Sequence, residues 1–148
     1  MQKINFQDLP STTTPLSANN LNQLQTNVEN AINGVIESGS NANGSYVKYS
    51  DGTLIQYNNA TVNDQAISNQ YGTTGLYTGT RTVTFPISFL DTNYSAFCGH
   101  FKWGTGASWG MVNSRNNKNW MTLIALDFIS RDAGTNTDVS WIAIGRWK

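Results

Sequence analysis

Residues 103–120 read Trp-Gly-Thr-Gly-Ala-Ser-Trp-Gly-Met-Val-Asn-Ser-Arg-Asn-Asn-Lys-Asn-Trp, and this run holds most of the side chains suited to recognition chemistry. Trp103, Trp109 and Trp120 offer flat rings that stack on the apolar faces of sugars, while Arg115, Asn116, Asn117 and Lys118 supply hydrogen bonds for hydroxyls. Gly104, Gly106 and Gly110 would let the backbone approach a ligand. Trp109, mid-run between Ser108 and Gly110, is the leading contact residue. Tyr71 and Tyr77 on the 70–80 segment form an alternative platform. The competing reading puts the Trp rings in the core and makes the Asn residues turn caps.

Bond-breaking chemistry finds less support. Cys98 and His100 lie two apart among Phe97, Gly99 and Phe101, so an unbroken strand would put them on one face, as nucleophile and base or simply as packing residues. Packing is the expectation. Asp127 interrupts an apolar run and is expected to point inward, in a structural ion pair with Arg131 or Arg146. A glycosidase needs two carboxylates facing across a cleft. Asp51, Asp64, Asp91, Asp127, Asp132 and Asp138 are the only acids after residue 40, mostly in turn-like contexts, and nothing selects a pair. One Cys and one His supply neither a disulfide nor a metal ligand set, so no metal or cofactor is expected.

The rest of the composition agrees. In 148 residues, nine basic side chains balance nine acidic ones, and Gln, Asn, Ser and Thr together number 56. Such a chain lacks the clustered cations that displace counterions from phosphate, which argues against nucleic acid and against a polybasic membrane surface. No apolar run approaches the roughly 20 residues of a membrane span. Met1–Pro10 has no apolar stretch, so no signal peptide is expected. Six Phe, six Tyr and five Trp can still build a core.

The positioning elements divide near residue 40. Ser17 is a candidate N-cap, with Leu16 and Leu21 as a hydrophobic staple. Leu21, Leu24, Val28, Ala31 and Val35 then recur at spacings of 3, 4, 3 and 4, an a/d seam of about two heptads. With little in the polar neighbourhood to pack against, this helix is expected to self-associate. The alternative is packing on its own domain, with Ile32 and Ile36 widening the stripe. Gly39 is expected to stop the helix, and residues 40–44 to form a hinge. Beyond it the pattern is β. The 45–49 and 53–57 runs flank Ser50-Asp51-Gly52, a hairpin signal. Further strands are expected at 81–85, 93–102, 107–113, 120–130 and 138–147. In the last, Val139, Trp141 and Ala143 share one face while Ile142 and Ile144 occupy the other, so it is expected to be a central strand or one also covered by a neighbouring chain. The fold class is mainly β: an N-terminal attachment segment and self-associating, coiled-coil-like α-helix over 1–40, then an antiparallel β-sandwich head over 41–148.

Four segments, in order, resemble the head domains of bacteriophage tail fibres and receptor-binding proteins. The hairpin Gly44–Tyr57 is similar to their opening hairpin, and Val83-Thr84-Phe85-Pro86-Ile87-Ser88-Phe89 resembles a recurrent strand motif. Asn93-Tyr94-Ser95-Ala96 follows it, and Trp141-Ile142-Ala143-Ile144-Gly145 resembles the closing strand. Pro15–Asn22 also resembles the particle-proximal part of such proteins, and Arg146-Trp147-Lys148 extend past the usual end. The resemblance implies a homotrimer with an H-type-lectin-like sandwich at a phage tail tip, in the virion, binding a host cell-wall polysaccharide or teichoic acid without catalysis. Its N-terminal segment would join other tail or baseplate proteins. A structural fibre-tip component that touches no receptor is the main alternative, and a glycan depolymerase a further one.

Overall fold

The computed structural model describes residues 18–32 and 34–148. The cap at Ser17, the staple through Leu16, the start of the Pro15–Asn22 segment and the leader reading of Met1–Pro10 lie outside the described residues. Helix α1 covers Ala18–Ile32. Nine strands follow: β1 Val35–Asn41, β2 Gly44–Tyr49, β3 Thr53–Val62, β4 Asn69–Gln70, β5 Tyr77–Thr84, β6 Ser95–Trp103, β7 Trp109–Ser114, β8 Trp120–Asp127 and β9 Thr137–Arg146. They form two antiparallel sheets, in the orders β1-β2-β3-β9-β6 and β4-β5-β8-β7, and no helix follows residue 40.

The helix stops earlier than its apolar spacing suggests. Val35 begins β1, opposite Tyr49, so the last position of the seam is strand and not helix. The reason is local and tertiary at once. Gly34 breaks the helix, the β-branched Val35 and Ile36 favour strand, and Glu37 accepts hydrogen bonds from Tyr46 (2.6 Å) and Lys48 (2.8 Å) on β2. Those two bonds hold the Glu37 carboxyl below the usual carboxylate range. Strand β1 runs through residue 40, and Gly39 serves as bare backbone beneath the Tyr46 ring, where a Cβ would approach to 2.9 Å. The hinge expected at 40–44 is the β1–β2 connection.

The hairpin at Asp51-Gly52 forms as its sequence dictates. Gly52 takes φ of +94°, and Asp51 Oδ1 accepts the Thr53 N–H at 2.8 Å. Between the sheets, Leu54, Phe101, Met121, Leu123, Val139, Trp141 and Ala143 are buried, so the inward face of β9 is the expected one. Phe85 sits at the centre of an aromatic cluster, edge-on to Phe89 (5.0 Å), Tyr94 (5.2 Å) and Trp141 (5.5 Å). Each such pair adds about 0.5–1.5 kcal/mol beyond area burial. This packing explains the Val83–Phe89 motif: the strand ends at Thr84 so that Phe85 and Phe89 can turn into one core. Trp147 closes the C-terminus, donating its indole N–H to Tyr49 O at 3.0 Å.

The chain enters the sandwich at one end, where Val35, Tyr49, Thr53 and Arg146 meet. This is the proximal end. The distal end carries the 63–68, 71–76, 104–108 and 128–136 connections, beyond Val62, Tyr77, Trp103 and Asp127.

Candidate functional site

The run 103–120 is not one loop. Strand β7 occupies its middle, and six residues of strand span about 20 Å. Trp103 and Trp109 therefore stand at the distal end, and Arg115, Asn116, Asn117, Lys118 and Trp120 at the proximal end.

The proximal half is scaffold. Arg115 donates to Tyr94 O, with its guanidinium 5.9 Å from the Tyr94 ring centroid. Tyr94 OH donates to Asn117 O at 3.1 Å, and Asn117 Oδ1 accepts the Asn119 N–H at 2.8 Å. The carbonyls of Lys118 and Asn119 accept from Phe89 (3.0 Å) and Phe85 (2.9 Å). Trp120 is half-buried opposite Thr84. This Asn-rich turn ties down the aromatic core segment, as the turn-cap reading has it; the side chains of Asn116 and Lys118 are exposed.

The distal half holds an exposed aromatic group. Trp109 lies on the outer face of the four-stranded sheet opposite Leu126, with Phe128 5.4 Å away at 51°. Trp109 is 39% exposed, Phe128 66% and Ile129 57%. Met111, opposite Ile124, continues the patch, and Thr78 and Thr80 flank it on β5. Tyr71, also exposed, sits in the β4–β5 turn at the same end, while Tyr77 is half-buried against the core. Sequence reasoning missed Phe128 and Ile129 because they continue an apolar strand pattern. The turn that exposes them is made by Asp127, whose Oδ1 accepts the Ile129 N–H at 2.9 Å.

Asp127 is 1% exposed, and its Oδ2 takes the Arg131 Nε–H at 3.1 Å, so Arg131 rather than Arg146 is the partner. Arg131 also lies 4.9 Å from the Trp103 ring, and Trp103 donates its indole N–H to Asp132 O at 2.8 Å. Trp103 is thereby a brace for the 128–136 connection. Removing one partner of a buried pair strands the other charge. Arg131→Ala should lower stability by about 3 kcal/mol, read as a fall in the urea midpoint at unchanged slope.

Two sequence expectations are corrected here. Gly104 and Gly110 serve the fold rather than a ligand. Gly104 needs its φ of +46°, and a Cβ on Gly110 would come within 2.4 Å of the Phe101 Cβ and 2.6 Å of the Cys98 sulfur. Cys98 and His100 do not share a face. A bulge at Gly99 breaks the alternation, leaving His100 exposed beside Ser140 and turning Cys98 towards the core. Burial pushes the Cys98 thiol up to about 11. Little thiolate exists at neutral pH, so iodoacetamide at pH 7.5 should leave the folded protein unlabelled and label it fully in urea.

Among the described residues, no three His, Cys, Asp or Glu side chains gather as a metal site, and no helix is long and apolar enough to cross a membrane. No curated protein matches the chain. Two solved structures do. One is the P. aeruginosa R1 pyocin fiber, at 18% identity and a TM-score of 0.49 over 81% of this chain and 31% of that one. The other is the N-truncated R2-type pyocin tail fiber, at 17% identity and a TM-score of 0.39 over 99% of this chain and 61% of that one. The chain spans less than two thirds of either structure. Residues 48–146, well over half the chain, match the family model of the gp53-like tail fiber protein C-terminal domain, and the chain belongs to this family of phage tail fibres.

Proposed function

We propose that the chain is the receptor-binding tip of a phage or phage-derived tail fibre, adhering reversibly to host cell-surface glycan through the distal rim of its head, without bond breaking. The observation that carries this reading is the exposed Trp109–Phe128 pair at the end of the sandwich farthest from where the chain enters. Exposed rings flanked by the exposed Thr80 hydroxyl suit the alternating apolar and hydroxylated faces of a sugar. The test is adhesion of the tagged protein to host cells and to isolated wall polysaccharide, with and without Trp109.

The head is a homotrimer in this reading, and the N-terminal segment joins other tail components. Two features support self-association at the proximal end. Leu24 and Val28 of α1 are exposed, and the outer face of the five-stranded sheet carries an apolar ladder. There Tyr57, Ile142 and Phe97 stand directly opposite one another across β3, β9 and β6, with Ile55 and Ile144 one step closer to the proximal end. Farther up, the same face turns polar with Thr61, Asp138 and Lys102.

The receptor is a neutral polysaccharide rather than teichoic acid. Arg115 is committed to Tyr94, and both it and Lys118 lie at the wrong end to serve the rim. Adhesion should therefore change little between roughly 50 and 200 mM salt, whereas contacts to several phosphates would lose orders of magnitude. Adhesion assays across that range check it.

A further inference from the structure

We infer that the cleft between the two sheets, on the side where β3 faces β5, is a second saccharide site that takes one neutral sugar unit. The sandwich is closed by β6 against β7 on one side and open on the other. There a cavity of about 270 Å³ lies between Asn58, Ala60 and Val62 of β3, Arg81–Thr84 of β5, Val139 and Trp141 of β9, and the 42–43 turn. At about 30 Å³ per water it has room for about nine waters. That is just below the ordinary range for drug-sized ligands and suits a single pyranose.

The lining fixes the chemistry. Trp141, Val139 and Val83 provide an apolar floor, and the amides of Asn58 and Asn43 with the Arg81 guanidinium provide the polar walls. The Asn58 side chain, on the inward face of β3, takes no hydrogen bond from another described residue, whereas the hydroxyls of Thr82 and Thr84 lie on the outer face of β5 and leave only backbone to the cleft. An amide both donates and accepts, which matches sugar hydroxyls better than a carboxylate or phosphate. Arg81 is the cation of the cleft, and it is neutralised by Asp64 at 2.9 Å, which leaves most of its N–H donors free. Strand β5 adds backbone. Strand β4 pairs only with Tyr77 and Thr78, so from Arg81 to Thr84 the strand has β8 on one side and the cleft on the other. Deeper on the same face of β3, Gln56 is buried with its Oε1 on the Ile87 N–H (3.0 Å) and its Nε2 unpartnered among the described residues. Polar capacity thus continues past the inner end of the cleft.

The choice of sugar as ligand rests on the adhesion reading above; the cleft itself does not involve the distal rim. The test is saturation-transfer NMR on the full chain with the methyl glycosides of glucose, galactose, mannose, rhamnose and N-acetylglucosamine. At least one should receive saturation, and it should persist in Trp109→Ala, which removes the rim's share and serves as the parent for the cleft variants. Ala60→Leu, which fills the cleft, and Asn58→Ala should each weaken it by about tenfold or more at an unchanged thermal midpoint. If Ala60→Leu shifts the midpoint, Asn58→Ala decides. Silence with all five sugars overturns the inference, as does saturation that survives Asn58→Ala once Trp109→Ala has removed the rim. Loss in Trp109→Ala alone overturns it too, while supporting the rim. Pairing of an extended peptide along β5 with no sugar bound would make the cleft a strand-docking edge and overturn the sugar site.

Discussion

Trp109→Ala should abolish adhesion to host cells while the head keeps its assembly and its thermal midpoint within a few degrees. The size of the loss follows from weak sites acting together. A stacked ring with a few hydrogen bonds supplies millimolar affinity, about −4 kcal/mol, too little to hold a particle on a cell. Several copies of the head around one tail tip would turn later contacts into high effective concentration and raise avidity by roughly 10²–10⁴. A site already near the threshold has no reserve, so losing the central ring at every copy removes adhesion altogether. Stability is spared because Trp109 is 39% exposed at the first position of β7, over Leu126 and Phe128 but outside the inter-sheet core. Phe128→Ala should weaken adhesion in parallel. Dissociation of the assembly by Trp109→Ala would make the patch an interface between copies. Unchanged adhesion would move the receptor to the Tyr71 turn or the cleft.

What the sequence disclosed, and what it hid, divides by the range of the interaction. The Asp51-Gly52 hairpin, the two faces of β9 and the inward Asp127 are local statements, written within ten residues, and the fold keeps them. Trp109 stands out in the sequence by residue type, and the fold leaves its ring partly exposed. The bulge at Gly99 was not, because Gly in a strand marks a bulge only when the partner strand, here around Ser140, is known. The split of the 103–120 run was hidden too: its Gly and Asn content imitates one long loop, while Gly110 is there for close approach to Phe101 and Cys98. Val35 continues a heptad by spacing, and only the pairing with Tyr49 shows it as strand. Phe128 and Ile129 needed knowledge of where β8 stops, which a carboxylate hydrogen bond at Asp127 decides.

Ile142→Asp should convert the head to a monomer at micromolar concentration, the largest structural effect expected of any single surface change. Ile142 is the middle of three residues in register, between Tyr57 and Phe97, and the three are 38%, 47% and 62% exposed in the single chain. Exposed apolar residues are ordinary when scattered, but a row across three adjacent strands forms a contiguous patch of the kind that marks an interface. Burying each side chain fully is worth about 1.5–3 kcal/mol, so one copy of the ladder seated against a neighbour gains several kcal/mol. A carboxylate at its centre would have to be desolvated without a partner, which costs more than the lost methyls. Val28→Asp in α1 offers the contrast. Two heptads are marginal alone, so it should loosen the helices while the heads stay associated through the sheet face. Sedimentation of both variants separates the contributions. Trimeric Ile142→Asp would leave the helix as the whole source of assembly, and a monomeric wild-type protein would remove the reason for β9 to carry bulk on both faces.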